Sequence, residues 1–150
     1  MAKRVGKDCK VALGSNIVSE MGTLTLDGIV TDQMDASAFG DGWKEFMYGM
    51  KDGGSVNFNG WFDPDDTQGQ EQLVLANLYN SALTNLRVYI DNTSYYEPCQ
   101  TTYYFSPTVT TGAPTKLSSV TITSLNINGD KAGIMTASFT GKVSGVMVLV

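Results

Sequence analysis

Residues 41–66 read "DGWKEFMYGMKDGGSVNFNGWFDPDD", and the way this stretch divides decides the fold around it. Its second half alternates. Val56, Phe58 and Phe62 fall against Ser55, Asn57 and Asn59, the period-two pattern of a strand with one buried face, and Asp63-Pro64 stops it. The first half does not alternate: Trp43, Phe46 and Met47 stand at i, i+3 and i+4, which predicts one or two helical turns opened by Asp41 and ended by Gly49 and Gly53-Gly54. An apolar cluster bounded by glycines is either a core element or a surface that another copy covers. Trp, Tyr, Phe and Met are enriched at protein interfaces, and both readings stay open at this point.

Upstream, "GTLTLDGIV" from Gly22 alternates Leu24 and Leu26 with Thr23, Thr25 and Asp27, a half-buried strand. Residues 31–54 then read as one long loop, well beyond the usual connection of about 4–6 residues, and loops of that length commonly carry function. Downstream, "DDTQGQEQLVLANLYNSAL" predicts a flanking helix over about 67–83. Thr67 and Gln70 fit a capping box, Asp65, Asp66 and Glu71 suit the positive helix start, and Leu75, Leu78, Tyr79 and Ala82 form an apolar stripe.

"NLRVYID" predicts another strand, and 92–115 an aromatic, threonine-rich connection with a short strand at "TTYYF". "KLSSVTITSLNIN" shifts phase from Val120 and Ile122 to Leu125 and Ile127, which places a bulge near Ser124. "NGD" at 128–130 is a hairpin signal, and "KAGIMTASFTGKVSGVMVLV" returns as its partner. Lys3, Arg4, Lys7 and Lys10 make residues 1–20 a basic arm with one short apolar strand. The expected architecture is mainly β: a β-sandwich or split barrel of antiparallel strands with one flanking helix, in a single domain over 1–150.

Composition narrows the function. The chain of 150 residues carries a formal net charge of -5, and only 17% of residues are charged, so uncharged Thr, Ser, Asn and Gly supply much of the surface. No basic run offers the footprint that holds a phosphate backbone tightly. No apolar stretch approaches the roughly 20 residues of a membrane span, and the N-terminus lacks a signal h-region, so a soluble cytoplasmic product with no membrane partner is expected. Cys9 and Cys99 fit neither a disulfide framework nor a zinc pattern and read as reduced thiols.

The chain contains no histidine, which removes Ser-His and Cys-His nucleophiles and histidine metal sites. Asp63, Asp65 and Asp66 lack the glycine and glutamate of a calcium loop, with Gln68 and Val74 in those places, and read as a strand stop and helix cap. Asp27, Asp35, Glu45, Glu97 and Asp130 show no spacing that singles out a glycosidase pair. Neither an enzyme nor a cofactor is expected.

The order of features resembles the major tail tube proteins of long-tailed bacteriophages, which are similar in fold to the tubes of type VI secretion machines. The resemblance covers nearly the whole chain and rests most on "GWKEFMYGMKDGGSVNFNGWFDPDD" and "ASFTGKVSG". It implies a structural virion protein, made and assembled in the host cytoplasm, whose copies close into hexameric rings that stack into a tail tube for genome delivery. Inner sheets would join into one barrel.

By the same resemblance, Trp43, Lys44, Phe46, Met47 and Tyr48 would stack ring on ring, and the arm residues Lys3, Arg4 and Lys7 would touch adjacent subunits. Ser55, Asn57, Asn59, Thr136, Ser138 and Thr140 are candidates for a lumen wall along which DNA passes without specific binding. Partners would be the chain itself and the tape measure, tail terminator and baseplate proteins. The alternative is a β-sandwich binding module, a carbohydrate- or receptor-binding virion protein using the loop from Tyr95 to Phe105, whose Tyr95, Tyr96, Tyr103 and Tyr104 could stack on sugars or bases.

Overall fold

A computed structural model describes residues 3–4, 6–100 and 118–150. They form two antiparallel five-stranded sheets and one α-helix, and the sheets do not close into a barrel. After a 3-10 turn at Gly6–Asp8 the chain runs through β1 (Lys10–Leu13), β2 (Asn16–Ile17), β3 (Met21–Asp35), β4 (Phe46–Trp61) and α1 (Gln70–Leu78). It continues through β5 (Ala82–Leu83), β6 (Leu86–Tyr89), β7 (Tyr95–Pro98), β8 (Ser119–Asn128), β9 (Thr136–Ser144) and β10 (Met147–Leu149). The first sheet has the order β10-β7-β6-β1-β2 and the second β3-β4-β9-β8-β5.

The alternating strands behave as their pattern requires. Val56 and Phe58 of β4, Val120 and Ile122 of β8, and Ala137, Phe139 and Val143 of β9 point at Val11, Leu13, Leu86 and Val88 of the first sheet. Phe58 and Phe139 are cross-strand partners whose rings stack 5.3 Å apart. The register of β8 against β9 shifts between Ile122 and Ser124, so Leu125 follows Ile122 onto the inner face, as the phase change in the sequence predicts.

The helix is shorter than expected and is held differently. Its start is not capped by Thr67: Gly69 occupies the cap position and makes no side-chain cap bond. The carboxylate of Asp66 instead accepts the amides of Gln70 (3.0 Å) and Ser19 (2.9 Å). The Gln70 side chain, 1% exposed, donates to the carbonyls of Ser19 and Trp61 and accepts the Asp63 amide, tying helix, β4 and the segment before β3 together.

The predicted stripe of Leu75, Leu78, Tyr79 and Ala82 faces outward, because the Gln70 anchorage turns Leu73 and Ala76 into the core. Asn80, at φ 52, ends the helix in the left-handed region while the Ser81 amide bonds back to the Ala76 carbonyl, a Schellman ending that stops the helix at Leu78, five residues before the expected end, and is followed by the brief β5.

The long loop predicted over 31–54 is mostly strand. Residues 31–35 and 46–54 belong to β3 and β4, and only the segment between Asp35 and Phe46 turns. Phe46, Met47 and Tyr48 pair with Asp35, Met34 and Gln33, so the predicted helical turn does not form. A helix of one or two turns gains few bonds against its nucleation cost, whereas "TDQMD" offers a ready antiparallel ladder. "TTYYF", with Tyr103 and Tyr104, lies outside the described residues.

Candidate functional site

β4 pairs with β9 only from Ser55 to Trp61. Before Ser55, β3 and β4 have each other alone and run out of the sheet as a two-stranded ribbon, about 26 Å long from Phe46 to Gly54 at roughly 3.3 Å per residue. Where it leaves, Gly28 and Gly54 meet across the strands with φ of +74 and +85. A Cβ on Gly54 would sit 2.2 Å from the Asp27 carbonyl, so only glycine allows this bend. Asp52 fixes the angle: its carboxylate accepts the Gly54 amide (2.9 Å) and the Lys142 ammonium (2.5 Å). These bonds, the Lys142 bond foremost, hold its carboxyl below the ordinary aspartate range.

Exposed apolar side chains stand on both faces of the ribbon, among polar ones such as Thr31, Gln33 and Lys51. Ile29, Val30, Met34, Met47, Tyr48 and Met50 are exposed, and Trp43 at the tip is 89% exposed. The reading of Trp43 and Phe46 as core residues is thereby overturned. The tip holds its own shape: Ser37 and Ala38 amides donate to the carboxylates of Asp35 and Asp41, and the Glu45 amide donates to the Ser37 hydroxyl. The first of these bonds lowers the Asp35 pKa. Lys44, exposed on the same tip, makes no ion pair among the described residues.

The candidate lumen residues come together. Asn57 pairs with Thr140 and Asn59 with Ser138, while Ser55 and Thr136 extend the same face, opposite Phe58 and Phe139. Thr23 and Thr25 of β3 and Asn126 of β8 widen it. The face is uncharged across its middle, and Lys142 at one end is matched by Asp52. Both borders of this sheet are open among the described residues: β3 has no outer neighbour, and β5 covers only Val120 and Thr121 of β8.

The arm residues separate. Arg4 binds its own chain, 3.4 Å from the Asp91 carboxylate, while Lys3 and Lys7 are exposed. Residues 10–17, counted with the arm in the sequence, are β1 and β2 of the first sheet, and β1 lies inside that sheet. Tyr95 packs on Tyr89 beneath the Arg87 guanidinium, and Tyr96 packs on the core, so neither is presented as a binding platform. Among the described residues no group of His, Cys, Asp or Glu is placed to hold a metal, and no helix is long and apolar enough to cross a membrane.

One feature escaped the sequence reading. At the end of the second sheet away from the ribbon, Trp61 is exposed on the polar face beside an open groove of about 440 Å3 lined by Glu20, Thr23, Asn59, Thr136 and Ser138, while Ile127 stands on the other face of β8 and Ile134 and Met135 lie exposed in the connection before β9. Trp61 carried no signal in the sequence beyond its place in the strand "SVNFNGWF".

No protein-family model matches the chain, and no curated protein matches it in sequence. Solved structures match along its full length. A chain from the tail of an empty gene transfer agent particle, determined with C6 symmetry, is 16% identical at a TM-score of 0.69, with 99% of each chain covered. One from the native gene transfer agent virion is 14% identical at 0.69, again with 99% of each covered. A chain from the anti-feeding prophage tube-terminating cap is 13% identical at 0.58, covering 100% of this chain and 92% of that one. At such identities the likeness is one of fold: this chain has a fold found in a gene transfer agent tail and in a tube-terminating cap.

Proposed function

We propose that the chain is a structural tail protein whose copies close into hexameric rings and stack into a tube for genome delivery. The observation that carries this reading is the ribbon. A two-stranded hairpin standing alone is at best marginally stable in water, and one that exposes Trp43, Tyr48 and Met47 needs a partner to cover it. The fold likeness to a tail determined with C6 symmetry supports six copies per ring. Open borders on the second sheet let neighbouring copies continue it edge to edge, and closing the circle removes edges that otherwise invite aggregation.

The polar face of β4 and β9 is the proposed tube lining. Phosphates find no unmatched cation there, so DNA slides instead of sticking. Lys3, Arg4 and Lys7 are proposed to touch adjacent subunits, and tape measure, terminator and baseplate proteins to contact the assembled tube. The protein thus resides in the virion tail and performs no turnover.

The test is the double substitution Trp43→Ala with Phe46→Ala. Circular dichroism should show an unchanged fold, since both side chains lie outside the core, and negative-stain microscopy should show loss of stacked rings. Global unfolding would return the cluster to an intrachain role.

A further inference from the structure

The chain holds two Asn-Gly pairs, Asn59-Gly60 and Asn128-Gly129. In such a pair the glycine has no side chain to keep its amide nitrogen away from the asparagine side-chain carbonyl, and an asparagine is chemically labile there. The attack turns the main chain out of the extended conformation of a strand, so a ladder of bonds on both sides opposes it. The fold puts the two pairs in opposite surroundings.

Asn59-Gly60 lies inside the second sheet. Asn59 pairs with Thr23 on β3 and Ser138 on β9, and Gly60 with Met21 and Ala137. The backbone is closely packed as well, since a Cβ on Gly60 would collide with the Glu20 carbonyl. Turning this main chain would break pairs with two strands at once, an opening of the kind that core strands resist most.

Asn128-Gly129 stands at the end of β8. Asn128 makes the last pair of the β8–β9 ladder, with Thr136, and among the described residues it has no neighbour on its other side, because β5 reaches only Val120 and Thr121. Both residues are exposed. The Gly129 amide donates to no group among the described residues, and the atoms nearest to a Cβ placed there belong to the flexible Met135 side chain.

We infer that Asn128 is a site of spontaneous deamidation and that the fold protects Asn59 from the same reaction. The Gly129 nitrogen gives up its proton and bonds to the Asn128 side-chain carbonyl carbon, the bond from that carbon to the side-chain nitrogen breaks, and ammonia leaves. Water then opens the five-membered imide at one carbonyl to aspartate or at the other to isoaspartate. Water is the sole co-reactant, and nothing is oxidised or reduced.

The product changes the polar face of the second sheet. By register Asn128 stands in one row with Thr136 and Trp61, two residues beyond Asn126 on the same side of β8. Either product adds one negative charge to that face, in a chain already at -5. Isoaspartate also inserts a carbon into the main chain, which ends the ladder short of Thr136. In a tube lined by this face the new carboxylates would repel passing phosphates. That consequence rests on the assembly reading, whereas the reaction belongs to the single chain.

The experiment holds the dilute chain in mildly alkaline buffer, folded or unfolded in urea, and follows the peptides containing Asn59 and Asn128 by mass spectrometry. In the folded chain the Asn128 peptide should gain about 1 Da and divide into aspartate and isoaspartate forms, on the order of tenfold or more faster than the Asn59 peptide. In urea the two should react at similar rates. Gly129→Ala should slow the Asn128 reaction by roughly tenfold while circular dichroism stays unchanged, since the added methyl meets only a side chain that can move. Equal rates at Asn59 and Asn128 in the folded chain overturn the inference, as does an Asn128 that stays intact while the unfolded chain converts, or a rate indifferent to Gly129→Ala. Each result is read on unassociated chain, so failure here is distinct from a failure to form rings.

Discussion

Asp52 shows how one side chain sets the direction of the ribbon. It bridges the Gly54 amide on its own strand and Lys142 on β9, and both bonds favour the carboxylate over the acid. Its folded pKa is lowered, so its contribution is fully present above the ordinary aspartate pKa and is lost as pH falls through the depressed value, below about pH 4. NMR titration of the Asp52 carboxyl carbon should give a midpoint below that of an unpaired aspartate, and Lys142→Met should move it upward. An Asp52 midpoint indifferent to Lys142→Met would contradict the clamp. Gln70 shows a limit of sequence reading at this scale. Thr67 and Gln70 have capping-box spacing, yet Asp66 takes the helix amide and Gln70 turns inward to serve three backbone groups. The pattern was real, but several side chains competed for the same helix start.

At the scale of elements, legibility followed burial on one face. "GTLTLDGIV", "SVNFNGWF" and the phase-shifted β8 alternate because one side meets the core and the other does not. The ribbon escaped because neither face meets the core, so apolar and polar residues mix on both and show no alternation, and the chance spacing of Trp43, Phe46 and Met47 imitates a helix. Gly53-Gly54 were legible as a break, read as the end of a helical turn, and Gly54 is the bend at which the ribbon leaves the sheet. Gly54→Val should lower the unfolding free energy by roughly 2–4 kcal/mol in urea titration, since a β-branched residue at positive φ is strained and its Cβ meets the Asp27 carbonyl. Gly42→Ala at the open tip should stay within about 0.5 kcal/mol of the parent.

Across the whole molecule, the division of labour follows from where apolar surface is and is not covered. The sandwich core satisfies the alternating strands, the polar face of the second sheet is uncharged across its middle, and the two ends of that sheet keep uncovered aromatics. That Ser55, Asn57, Asn59, Thr136, Ser138 and Thr140 share one face was legible in sequence because they are the polar half of the same alternation that builds the core. The most direct measurement is electron microscopy of the purified chain at increasing concentration, with end-on and side views averaged separately. The account predicts six-fold rings around an open channel end-on and regular stacks of those rings in side view; a chain that stays a lone subunit at every concentration, or rings of another symmetry, would contradict it.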